Sequence, residues 1–263
     1  MSIHADTPRS MPRFLWAGDS AVVIEFGNEI SPALAARAHT AAAAFESANL
    51  TWLVEVLPSY RSVLAEFDPR LISPAAALEE LQRIAETAAI PEGPASLDQL
   101  DIVSIPVCYG GRFGPDLHDV AAHTGLSPDE VVAVHSEPLY LVYMIGFMLG
   151  FPYLGGMSPR IATPRLATPR TIVPAGSVGI AGNQTGVYPM ASPGGWHLIG
   201  RTPMRLADPS ADPPCLLRAG NRIRFVPVDE AAYRAIEAAA ATTARTDAPG
   251  IAAIPAQAEG GDQ

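Results

Sequence analysis

The chain has 263 residues, a formal net charge of −10, 48% hydrophobic residues and a mean hydropathy of +0.17. That is enough apolar content for one large core or two modest ones, and the acidity argues against a nucleic-acid-binding surface. No apolar run approaches the about 20 residues needed to cross a bilayer, and residues 1–10 lack the apolar stretch of a secretory signal. Cys108 and Cys215 are too few and too isolated for a disulfide framework or a cysteine zinc site. A soluble, reduced, cytoplasmic protein is expected, with neither a membrane nor a nucleic acid as partner.

Residues 1–12 are polar and aperiodic, which predicts a disordered tail. Phe14–Trp16, a Gly18-Asp19 turn and Ala21–Phe26 predict a hairpin. Ser31-Pro32 puts an N-cap and a first-turn proline at the head of an alanine-rich helix running to about Ala48. A strand at Trp52–Val56, a turn at Pro58–Arg61 and a strand at Ser62–Phe67 follow. Ser73-Pro74 then opens a second helix, to about Ala89. The repeated order strand, strand, helix predicts an α+β domain over residues 13–92, an antiparallel sheet backed by helices.

The Pro/Gly/Ser-rich segment Pro91–Ser96 predicts a boundary, with a second domain over residues 99–240. There Asp101–Val107 reads as a strand, Gly110–Asp116 as a loop and Asp116–Thr124 as a helix. Ser127-Pro128-Asp129-Glu130 carries a capping box for a short helix ending near His135. Leu139–Ile145 reads as a strand and Gly146–Met157 as a loop. Thr163-Pro164-Arg165 and Thr168-Pro169-Arg170 form a tandem with two arginines on one extended segment. Cys215–Pro227 reads as a closing hairpin turning at Ala219-Gly220-Asn221, with Ile223 and Phe225 on one face. Asp229 to about Ala240 predicts a helix, and residues 241–263 a second disordered tail. This domain is mostly β, and a barrel is expected.

Within it, Val173–Arg201 alternates short β-prone pieces (Ser177–Ala181, Gly186–Met190, Trp196–Ile199) with Gly, Pro and Asn-Gln breakers. Between the turns stand an amide (Gln184), hydroxyls (Thr185, Tyr188, Ser192), an imidazole (His197) and a guanidinium (Arg201). A strand-and-turn frame holding sparse polar groups is how a small-molecule pocket is built, although the glycines serve equally well as barrel turns.

Ile105–Gly111, Gly114–Leu117, Gly150–Gly155, Thr163–Arg165, Val173–Gly179, Gln184–Pro189, Pro193–Trp196 and Leu198–Pro203 together form a long motif chain. With Gly18–Ala21 and Pro58–Ser62, it resembles a bacterial family that comprises the B-type subunit of 5-oxoprolinase, allophanate hydrolase subunit 1 and a sporulation-kinase inhibitor. The resemblance covers about residues 14–228. It departs from the family at Leu149, where a proline is usual, and at His197, where glutamine commonly follows Gly-Gly-Trp. It implies an α+β domain followed by a cyclophilin-like β-barrel. It further implies two partner subunits, of the C type and the A type, in a complex that opens 5-oxo-L-proline to L-glutamate with ATP as co-substrate. Two other roles follow from the same family: a binding module that inhibits a histidine kinase, and an allophanate or urea amide hydrolase or carboxyl-transfer subunit.

Opening a resonance-stabilised lactam with ATP calls for cations to hold phosphate and carboxylate, amide and hydroxyl groups for orientation, and donors for developing charge. On that chemistry the candidate catalytic residues are His135, Arg165 and Gln184, and the candidate substrate-binding residues are Thr185, Arg170, Arg201, Tyr188 and His197. His135 serves either as a general base or as a cap on the helix end before it. The histidines lack metal-ligand spacing, so no metal is expected. No phosphate-binding Gly-x-x-x-x-Gly-Lys motif and no lysine occur, and the Gly-Ser-Val-Gly of Gly176–Gly179 stands in the wrong frame for a nucleophile elbow. A chain that supplies part of a shared site is expected.

Overall fold

A computed structural model describes residues 12–87 and 102–243. Both predicted tails, apart from residue 12 and residues 241–243, and the linker at Pro91–Ser96 lie outside them.

The first unit is a four-stranded antiparallel sheet in the order β1-β2-β4-β3, made of β1 (Arg13–Trp16), β2 (Ala21–Glu25), β3 (Leu53–Pro58) and β4 (Ser62–Phe67). Helix α1 (Pro32–Ser47) starts where predicted, with the Ser31 hydroxyl accepting from Leu34 N–H at 3.3 Å. Helix α2 (Pro74–Thr87) buries Ala77, Leu81, Ile84 and Ala85. That spacing of four, three and one is a single helical face. It meets Phe45 of α1 and Val22, Ile24, Val63 and Phe67 of the sheet in one core.

The second unit is a seven-stranded sheet in the order β10-β9-β12-β5-β13-β6-β7. Its strands are β5 (Ile102–Tyr109), β6 (Tyr140–Ile145), β7 (Pro152–Gly155), β9 (Ser177–Ala181), β10 (Gln184–Val187), β12 (His197–Arg201) and β13 (Arg222–Pro227). β10 and β7, at opposite ends of that order, lie against each other and bring the sheet close to a closed barrel. Helices α3 (Leu117–Thr124) and α4 (Pro128–Ser136) pack on β12 and β13, and their Val120, Val131 and Val134 join Ile105, Val142, Ile180 and Phe225 in the barrel core. The capping box is present as expected: Ser127 Oγ accepts from Glu130 N–H at 3.2 Å, and a Glu130 carboxylate oxygen accepts from Ser127 N–H at 2.7 Å. A two-stranded ribbon of β8 (Arg170–Val173) and β11 (Ser192–Gly194) lies outside the barrel order, and α5 (Glu230–Thr243) packs on β5.

Four local expectations are corrected. Cys215–Pro227 is no hairpin: Cys215 bridges Ala207, whereas β13 runs parallel to β5 from Arg222↔Ile102 to Pro227↔Val107. Ile223 and Phe225 do share the inward face, but the chain reaches β13 through a tight turn in which Asn221 Oδ1 accepts from Arg218 N–H at 2.8 Å. Pro152–Gly155, expected within a loop, is strand β7. Residues 192–194, expected as a breaker, form β11, and the middle strand starts at Gln184 rather than Gly186.

Candidate functional site

His135, expected at a helix end, is fully buried beneath the barrel wall. Its Nδ1 lies 2.8 Å from the Tyr109 hydroxyl and its Nε2 lies 2.8 Å from Thr185 Oγ1, which in turn donates to Gly179 O at 3.0 Å. Because the Thr185 proton goes to a carbonyl, its oxygen accepts from His135 Nε2–H, and Nδ1 then accepts from Tyr109. This assignment satisfies every member of the chain with a neutral ring. Burial pushes the His135 pKa down to about 3, which keeps the ring neutral. His135 therefore neither caps a helix end nor reaches solvent, and Thr185 is locked with it.

Arg170 and Arg165, alike in sequence, part company. Arg170 Nη2 lies 2.6 Å from Asp116 Oδ1, and its Nη1 donates to Trp196 O at 3.4 Å. Asp116 is buried, and its second oxygen accepts from Leu198 N–H at 2.6 Å. The group ties the ribbon, the start of α3 and β12 together. Arg165 is exposed and makes no ion pair with another described residue. It lies near enough to Tyr188 to act on its phenol: burial pushes that pKa up, and Arg165, the Trp196 backbone and Arg170 oppose the shift. Tyr188 itself is buried among Phe151, Trp196, Val173 and Leu198, with edge-on contacts to Phe151 at 5.4 Å and Trp196 at 6.2 Å. His197, on β12, has a buried Nδ1 without a hydrogen-bond partner in the described structure.

Gln184 faces the first unit. Its Nε2 donates to the Tyr60 hydroxyl at 2.8 Å, and the Tyr60 ring rests on Tyr143 at 5.3 Å and Tyr153 at 5.9 Å. Gly155 permits this: a Cβ there would stand 1.9 Å from the Tyr143 ring. His39 of α1 adds a contact from its Nε2 to Tyr143 O at 2.7 Å, and burial lowers its pKa against the opposing effect of that bond. Tyr60 thus joins the β3–β4 turn to the barrel, with burial pushing its phenol to about 12.

Arg201, the last residue of β12, stands apart from all of these. With Arg112, Phe113, Tyr233, Arg234 and Glu237 it lines an open cleft of about 340 Å³. The strand register sets Arg201 opposite Cys108 of β5 and Ser177 of β9. Gly176 is needed beside it, because its φ is +77° and a Cβ would lie 2.3 Å from Thr202 O.

The expected residues thus fall into five places rather than one pocket: His135 with Thr185, Arg170 with Tyr188 and Arg165, His197 at the start of β12, Gln184 at the contact with the first unit, and Arg201 in the cleft. Asp116, Tyr60 and Tyr109 are not among the residues expected at a site, although each lies in a motif of the family resemblance. Arg112 and Phe113 reach the cleft from the loop between β5 and α3, and Tyr233, which carries no local signal, is brought there by α5. Among the described residues no cluster of three His, Cys, Asp or Glu side chains suits a metal, and no helix is long and apolar enough to cross a membrane.

The family described as carboxyltransferase domain, subdomain C and D, matches residues 12–217. The B-type subunit of the 5-oxoprolinase of Bacillus subtilis (strain 168) is 46% identical over 226 residues, 83% of this chain and 93% of that protein. The solved structure of TTHA0988 is 38% identical with a TM-score of 0.69, over 80% of this chain and 40% of that one. Kluyveromyces lactis urea carboxylase shares the fold at a TM-score of 0.66 and 23% identity, over 86% of this chain and 22% of its own. The chain spans less than half the length of either solved protein.

Proposed function

The chain belongs to the family of carboxyltransferase domains, subdomains C and D, and from that premise we propose that it is the B-type subunit of a 5-oxoprolinase. The observation that carries the reading is the 46% identity extending over 93% of a protein named for that role. The reaction proposed is the ATP-dependent opening of 5-oxo-L-proline to L-glutamate, in the cytoplasm, together with C-type and A-type partner subunits.

The geometry supports a shared site rather than a complete one. The histidine among the candidate catalytic residues is buried, neutral and hydrogen-bonded at both ring nitrogens, so it has no free position from which to activate water. Arg165 and Arg201 keep their guanidiniums free of ion pairs with other described residues and are the groups suited to hold carboxylate or phosphate. Gln184 and the Tyr60 hydroxyl orient the wall between the two units. The general base and the nucleotide site are proposed to lie on the partner subunits.

The test is glutamate release from 5-oxoproline and ATP by the complex co-purified with its neighbouring subunits. Turnover is expected, and no ATP-dependent glutamate from an intact complex would sink the reading. In that complex Arg165→Ala is expected to lower kcat/KM at least about tenfold, about 1.4 kcal/mol of transition-state stabilisation, with assembly unchanged. A variant of wild-type activity would remove Arg165 from the site.

A further inference from the structure

The cleft at the end of β12 gathers positive charge. Three guanidiniums, of Arg112, Arg201 and Arg234, line it against one carboxylate, that of Glu237, in a chain whose net charge is −10. Two of the three are held in place. A single Glu230 carboxylate oxygen takes Arg112 Nη2 at 2.5 Å and Arg234 Nη2 at 3.0 Å, and the Arg112 guanidinium lies 4.7 Å over the Phe113 ring. Glu230 fixes both side chains and offsets only one of the two charges. Behind them the Phe113 and Tyr233 rings, 4.6 Å apart, pack with buried Cys108.

Arg201 differs from its two neighbours. It is half-buried, and its Nε is inaccessible to solvent and without a hydrogen-bond partner in the described structure. It makes no ion pair with another described residue. Directly across the β12–β9 ladder stands Ser177, whose buried Oγ is likewise unpartnered. Cross-strand partners project on one face of a sheet, so two unsatisfied polar groups are neighbours at this corner. Burying an unpaired donor of a charged group costs free energy, while the rest of the Arg201 side chain stays half-exposed and lines the cleft, where its other guanidinium donors can meet a ligand. Such a group at the edge of an open, arginine-lined cleft is what an oxyanion site requires, because a guanidinium presents parallel N–H donors to two oxygens of carboxylate or phosphate.

We infer that the cleft lined by Arg112, Arg201 and Arg234 is a binding site for a small oxyanion-bearing molecule, a carboxylate or a phosphate, with Arg201 as its principal ligand. A volume of about 340 Å³ takes a molecule of metabolite size and no more than part of a nucleotide. Phe113 and Tyr233 supply an apolar flank for the body of the ligand, and Arg234 and Arg112 close the rim.

The test uses the purified full chain without partners, so it reads the site and not the proposed activity. The probes are inorganic phosphate, 5-oxo-L-proline, and 2-pyrrolidinone, which keeps the lactam ring and lacks the carboxylate. Proton–nitrogen NMR of the arginine Nε–H groups follows the titration. Phosphate, 5-oxoproline or both are expected to move the Arg201 Nε–H resonance in a saturable manner, and which of them does so identifies the source of the oxyanion. 2-Pyrrolidinone is expected to leave that resonance in place. Arg201→Gln is expected to weaken binding at least about tenfold and Arg201→Lys by less, with circular dichroism unchanged. Arg234→Gln, at the rim, is expected to weaken it by about threefold. The inference is overturned if neither anion moves the Arg201 signal, if 2-pyrrolidinone moves it as strongly, or if folded Arg201→Gln binds as tightly as the native chain. Binding by the chain with no turnover by the complex would leave this site standing and remove the 5-oxoprolinase reading.

Discussion

The two ends of β12 place an arginine in opposite circumstances. At the start of the strand, Arg170 spends its donors on Asp116 and Trp196 O, and Asp116 completes the set by accepting from Leu198 N–H. At the end of the strand, Arg201 keeps a buried Nε with no acceptor among the described residues. Sequence alone makes both look like candidate ligands. An arginine whose donors are bonded inside the fold holds the barrel together, and one left unpaired at a cleft remains for a ligand. The same contrast separates His135, hydrogen-bonded at both nitrogens, from exposed Arg165.

The sharpest way to break the contrast is Asp116→Ala. It leaves Arg170 and Leu198 N–H without their carboxylate, and the loss expected is about 3–5 kcal/mol in urea denaturation. A loss below about 1 kcal/mol would put both ends of β12 on the same footing.

His135→Gln tests the interior chain. Removing the ring leaves the Tyr109 and Thr185 hydroxyls short of a partner, at a cost of about 1–3 kcal/mol. It also changes the pH dependence. The folded-state pKa is held at about 3 by burial against a usual value of 6.5, so on acidification the unfolded chain takes up the proton first. The stability tied to the neutral ring is complete above 6.5 and is lost as pH falls from there toward about 3, at up to about 1.4 kcal/mol per pH unit. The glutamine variant is expected to have a shallower slope in that window. A slope identical to that of the native chain would mean that His135 is protonated in the folded state.

The smallest effect belongs to the contact between the two units. Tyr60→Phe keeps the ring on Tyr143 and Tyr153 and removes only the bond from Gln184, so about 1 kcal/mol is expected, and it should vanish in a Gln184→Ala background. An undiminished effect in that background would detach Tyr60 from Gln184.

Much of the fold was legible because its signals are local. The Ser31-Pro32 and Ser127–Glu130 starts, the paired strands of the first unit and the bounds of β9 all follow from residues within a few positions of one another. What escaped the sequence depends on distant partners. β13 pairs in parallel with a strand more than a hundred residues earlier, and no turn signal announces such a pairing. Arg165 and Arg170 carry the same Thr-Pro-Arg signature, and only the position of Asp116, 54 residues from Arg170, separates a brace from a cation with no ion pair among the described residues. His135 meets Thr185 across 50 residues, which turns two apparent site groups into one interior chain.

This chain is proposed to supply binding groups to a site that its partner subunits complete, and reconstitution separates their contributions. Glutamate release from 5-oxoproline and ATP should be absent with this chain alone, absent with its partner subunits alone, and present when they are combined. Turnover by the chain by itself, or undiminished turnover by the partners without it, would contradict the account.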